Sequence, residues 1–162
     1  LKKDYYPIVK HNWKVSLIFA ALLTLFVAYP AYSAKYDKSN PTKMYSKAYK
    51  MIDKGQYSKA QKILKNYTKS EPEDPDGWTL LAFTYRKLDK FAESEEYYLK
   101  ALNLEPDNKA ALEYQGELFI ETNRIDLANA NIKKLQNLCP NSCEELEKLQ
   151  SYLLDQSSKS NI

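Results

Sequence analysis

Apolar residues recur along most of this chain at helical spacing. Trp78, Leu81, Ala82 and Tyr85 follow one another at i, i+3, i+4 and i+7, the stripe of a helix with one buried face. Phe91, Ser94, Tyr98 and Ala101 repeat the pattern a few residues later, which predicts a second helix. Leu146, Leu149, Leu153 and Leu154 predict a further amphipathic helix over 143–154. Only three glycines, Gly55, Gly77 and Gly116, are present, too few for a sandwich or barrel rich in tight turns. The expected class is all-α.

The start of the chain follows a different pattern. Lys2, Lys3, Lys10 and Lys14 precede an uncharged run from Val15 to Tyr29, which Pro30 ends. Ala31 and Ser33 supply small residues before a cut after Ser33, so 1–33 has the layout of a secretory signal peptide. The other reading is an uncleaved membrane anchor over 13–32, with Trp13 and Tyr32 at the interfaces. The uncharged run is short for a span, which needs about 20 residues. Both readings place residues 34–162 outside the cytoplasm, either periplasmic or held at the inner membrane. A polar linker, 34–40, follows. At the other end, 155–162 lacks periodicity and is expected to be a disordered tail.

Between these ends the sequence is self-similar. Pro72, Pro106 and Pro140 are spaced by 34 residues, as are Ala60, Ser94 and Ala128, and Ala48, Ala82 and Gly116. Small residues in two such columns let paired helices approach closely, and the proline column ends each second helix. With W-x2-L-A-x2-Y at Trp78–Tyr85 and the small-aromatic-Ala-Pro series after it, residues 41–142 resemble the tetratricopeptide repeat family. Three units are implied, 41–74, 75–108 and 109–142. The first departs most from the family pattern, with Met44, Lys47 and Met51 in place of Trp, Leu and Tyr. The resemblance implies a right-handed α-solenoid of three helix pairs, closed by the helix at 143–154. Asn40, Asp74 and Asp107-Asn108 are candidate helix caps, and Ser142 with Glu145 forms a candidate capping box.

The resemblance also implies a function. In this family the first helices line a concave groove that holds a protein or peptide. Matching positions are Thr42, Tyr45, Tyr49 and Ile52; Asp76, Thr79, Phe83 and Arg86; and Ala110, Glu113, Glu117 and Ile120. Of these, Tyr45, Tyr49, Thr79, Phe83, Arg86, Glu113 and Glu117 are the candidate contact residues. The groove is then aromatic at one end and acidic at the other, suited to a segment with apolar and basic parts. Members that bind a chaperone's acidic tail use a clamp of Lys, Asn and Arg. Tyr45, Tyr49, Leu80, Ala110 and Tyr114 stand at those positions here, so that recognition is not implied.

Composition narrows the chemistry. The formal charge of +3 comes entirely from the first 33 residues, so the body is neutral and offers no electrostatic footprint for nucleic acid. His11 is the only histidine, so the body has no His-based triad and no His-ligated metal. No phosphate-binding glycine loop is present, and no catalytic residue, metal ligand or cofactor is expected. Cys139 and Cys143, in C-P-N-S-C, form an even pair in an exported chain and are a disulfide candidate. The alternative reading is a thiol-redox or copper(I)-handling protein using the same two thiols. Charge is also uneven within the body. Residues 41–70 hold eight lysines and one acid, whereas 71–108 hold ten acids and four bases. That imbalance is read either as a solvated face or as a surface for anionic lipid or an acidic partner.

Overall fold

The computed structural model describes residues 40–160, and these fold as seven α-helices. They are α1 Pro41–Asp53, α2 Tyr57–Ser70, α3 Pro75–Arg86, α4 Phe91–Leu104, α5 Lys109–Glu121, α6 Ile125–Leu138 and α7 Glu144–Ser160. No strand occurs among the described residues. Consecutive helices pack as antiparallel hairpins, α1 with α2, α3 with α4 and α5 with α6, and α7 packs against α5 and α6. The result is an α-solenoid of three helix pairs and a terminal helix. The leader and linker, residues 1–39, lie outside the described residues. Among those described, no helix is long and apolar enough to cross a membrane.

The 34-residue columns correspond to recurring structure. Ala48, Ala60, Ala82, Ser94 and Ala128 have no exposed surface, and Gly116 is buried. At Ser94 the column also carries a polar tie, since its hydroxyl donates to Ala82 O on the facing helix. An added Cβ on Gly116 would come 2.5 Å from Leu149 Cδ2, which explains the absence of a side chain where α7 seats. Large side chains fill the space between, with Leu64, Leu81, Tyr98, Leu118, Leu135 and Leu149 among the most deeply buried.

Hydrogen bonds recur with the same period. Asn40, Asp74 and Asn108 each cap the helix that follows, accepting from Thr42 N, Asp76 N and Ala111 N. These bonds satisfy amide donors that a helix start leaves without carbonyls. At the turn inside each pair, Gly55, Asp89 and Asn123 adopt positive φ of 66°, 57° and 58°. Gly, Asp and Asn are the residues that enter this left-handed region most readily. Just beyond, Gln56 N, Lys90 N and Arg124 N reach back to Met51 O, Tyr85 O and Phe119 O, closing each helix end in the same way.

The last unit differs from expectation in two places. Ser142 continues the cap column but does not cap. Its φ is 84°, incompatible with the extended backbone of a cap, and its hydroxyl donates to Glu147 Oε1. The carbonyl of Cys143 accepts from Glu147 N instead, so α7 starts one residue late and Glu145 takes no part in a capping box. The helix then runs on to Ser160, so residues 155–160 are helical rather than a disordered tail. No Gly or Pro interrupts the stretch, the Ser157 and Ser158 hydroxyls bond to carbonyls three residues back, and Gln156 is half-buried.

Candidate functional site

The first helix of each pair contributes side chains to one face. On α1, Tyr45 is half-buried against the ring of Tyr67, with centroids 5.4 Å apart, while Tyr49 is 53% exposed. On α3, Phe83 lies between two tyrosines, 5.0 Å from Tyr114 and 6.1 Å from Tyr57. Burial and the carboxylates of Asp76 and Asp74 push the Tyr45 hydroxyl up to about 12, so it stays a donor at neutral pH. A cleft of about 520 Å³ opens beside this ring, lined also by Thr42, Ser46, Glu71, Asp74 and Asp76. Two of its acids are already engaged: Asp74 accepts from the Tyr67 hydroxyl and Asp76 from Asn108 Nδ2.

Farther along, the face is tied shut. Arg86 is fully buried, and its guanidinium pairs with both Glu117 and Glu121 of α5, the latter at 2.6 Å. The Tyr152 hydroxyl of α7 donates to the same Glu121 Oε1. Desolvation opposes the charge of Arg86, but Tyr98 and then the carboxylates of Glu117 and Glu121 outweigh it, and its pKa rises. The guanidinium also lies 5.4 Å from the Phe83 ring centre, joining the ionic cluster to the aromatic one. Glu113 is 3% exposed. Burial first, then the charge of Glu117, raises its pKa to about 7, and Lys148 of α7 offsets part of that.

The candidate contact residues therefore divide. Tyr45, Tyr49 and Phe83 present surface to solvent. Thr79 is buried with its hydroxyl on Pro75 O, Arg86 is engaged by two acids, Glu113 is enclosed and Glu117 is half-buried beside Arg86. Tyr57, Tyr67 and Tyr114 complete the aromatic floor without having been singled out. Their signal lay in the sequence as an excess of tyrosine, 14 in all, and Tyr114 was named only as a departure from the chaperone clamp. Cys139 and Cys143 stand at the far end, Cα atoms 5.7 Å apart and within bonding reach. No cluster of three or more potential metal ligands occurs among the described residues.

The family model of the tetratricopeptide repeat matches residues 75–108, the second helix pair. The second helix pair is thus a tetratricopeptide repeat. Solved structures agree with the fold of the whole array. The chaperone SycD of Yersinia enterocolitica, in complex with a peptide of the translocator YopD, is 16% identical with a TM-score of 0.63, covering 79% of this chain and 98% of that one. The first such domain of human RPAP3 is 22% identical with a TM-score of 0.61, covering 73% and 95%. The TPR2B domain of yeast Sti1, in complex with an Hsp70 peptide, is 17% identical with a TM-score of 0.62, covering 74% and 97%. At these identities the likeness is one of fold. Among curated proteins none matches the chain.

Proposed function

We propose that this tetratricopeptide array is an exported adaptor that holds a protein segment on its concave face, in assembly or maturation of a complex of the cell envelope. The supporting observation is the aromatic floor of Tyr45, Tyr49, Phe83 and Tyr114, contributed by three successive first helices and open to solvent at Tyr49. Tyrosine and phenylalanine offer broad contact at small entropic cost, the chemistry of binding surfaces rather than of catalysis. Fold neighbours in complex with peptides of YopD and Hsp70 lend the reading weight.

The nature of the guest follows from what the face presents. Its guanidinium, Arg86, is committed to Glu117 and Glu121, which leaves Lys87, 5.4 Å from the centre of the Phe83 ring, as the exposed cation there. A segment with apolar side chains for the tyrosines and a cation for the acid-lined cleft suits the face. Export rests on the leader's composition and agrees with a bonded Cys139–Cys143 pair, which fits an oxidising compartment. The thiol-redox or copper reading is less favoured, because Cys139 is 7% exposed and poorly placed for attack. Thiol labelling of the native protein distinguishes the two.

The test is affinity capture from envelope extract with the wild type and a Tyr49→Ala/Phe83→Ala variant. The proposal expects specific partners lost with the variant, at unchanged helical content. Undiminished capture of every partner rejects the face as the site.

A further inference from the structure

The α1–α2 hairpin carries a charge that nothing in the fold answers. Lys43, Lys47, Lys50, Lys54, Lys59, Lys62, Lys65 and Lys69 are all exposed. Among the described residues none takes part in an ion pair, and the one polar contact is Lys59 Nζ to Gln56 Oε1 at 3.2 Å. The hairpin's single acid is Asp53. Outside the hairpin two lysines meet acids, Lys148 with Glu144 and Lys134 with Asp107.

Helix geometry places these charges. Lys43, Lys47, Lys50 and Lys54 are spaced four, three and four residues apart, which aligns them on one stripe of α1 and its C-terminal cap. At 100° per residue that stripe lies on the side of α1 away from Tyr45 and Tyr49, and beside the core stripe of Met44 and Ala48. On α2 the four lysines lie opposite Ala60, Leu64 and Tyr67. Whatever engages the lysines thus leaves the aromatic face of α1 free.

We propose that this hairpin docks on an anionic phospholipid surface. Three observations favour lipid over an acidic protein. Every cation is a lysine, a compact point charge, and none is an arginine, whose planar fork suits defined carboxylate or phosphate partners. The exposed large apolar side chain of the hairpin is Tyr49, which sits with the groove, so the lysine stripe has no anchor of the kind a protein interface uses. Eleven residues, 30–40, separate the uncharged run Val15–Tyr29 from Pro41, and that connection reaches roughly 40 Å when extended. The hairpin therefore lies within reach of any bilayer that the run enters. Docking by the lysines turns the aromatic groove toward the aqueous side.

The test is flotation of the full chain with vesicles of phosphatidylcholine alone and of phosphatidylcholine with phosphatidylglycerol. Wild type is compared with Lys47→Gln/Lys50→Gln/Lys54→Gln. A charge-matched control carries Lys109→Gln/Lys133→Gln/Lys159→Gln, at exposed lysines outside the hairpin. The proposal expects binding to the phosphatidylglycerol vesicles to fall roughly tenfold or more in the hairpin variant. The control should stay within about threefold of wild type, and added salt should weaken wild-type binding. Equal binding by the hairpin variant and wild type overturns the proposal, as does binding indifferent to phosphatidylglycerol, which would be insertion of the leader. Capture of polyglutamate without vesicle binding also overturns it, in favour of an acidic polypeptide.

Discussion

Glu113 gives the sharpest test of the ties that close the groove. The residue is 3% exposed on α5, and Lys148 of α7 contributes to its electrostatic surroundings. Lys148 is the favourable charge in its surroundings, against the acids Glu117, Glu145 and Glu144. Its pKa stands at about 7, against an ordinary 4.5. Below about pH 4.5 the group is neutral in folded and unfolded chains alike and costs nothing. Between about 4.5 and 7 the folded chain holds a proton that the unfolded chain has released, so stability falls as pH rises. Above about 7 the penalty is complete and constant. The gap between the two values corresponds to at most ~3 kcal/mol. Water reaching a site near the surface reduces that, and about 1–2 kcal/mol is expected. Glu113→Gln keeps the shape and removes the charge. Urea unfolding followed by far-ultraviolet circular dichroism should find the variant equal to wild type at pH 4.5 and more stable at pH 8. Equal stability at both, or a less stable variant at pH 8, refutes the reasoning and means that the ionised carboxylate is held by a favourable partner.

Other substitutions probe neighbouring ties. Arg86→Met leaves Glu117 and Glu121 facing each other without their cation and should lower unfolding stability by ~3 kcal/mol in the same urea assay. Leu149→Ala removes a fully buried side chain seated on Gly116, and should cost about 2–5 kcal/mol and raise hydrogen exchange in α7 first. Reducing the Cys139–Cys143 pair, or Cys143→Ser, opens only a short loop, so unfolding stability should fall by roughly 2 kcal/mol or less.

Much of the fold was legible because its determinants are local and periodic. Ala48, Ala82 and Gly116 announce close helix contact by size alone, and Gly55, Asp89 and Asn123 announce tight turns by backbone tolerance. The end of α7 was not legible, because the polar 155–160 stretch has no apolar period, and polar residues without a breaker simply extend an existing helix. The site was legible only to the level of columns. Family positions name the side of α3 and α5 expected to face the concavity, with Thr79, Arg86 and Glu113 on it. They do not say whether that side is free. Arg86 is sealed by acids 31 and 35 residues away, and Glu113 by a helix that starts 31 residues later. One hint was available: Arg86 and Glu121 stand at nearly the same position of successive repeats with opposite charge. Tyr114, named only as a departure from the chaperone clamp, stands one position beyond the groove column occupied by Glu113.

Photocrosslinking from the groove tests the central claim most directly. A benzoylphenylalanine is placed at Tyr49, on the open aromatic face, or at Leu99, exposed on the second helix of the middle pair. Irradiation in envelope extract should give discrete polypeptide adducts from position 49, absent when Phe83→Ala is added, and none of the same species from position 99. Adducts from position 99 alone, or adducts from position 49 that persist with Phe83→Ala, contradict a guest held on the concave face.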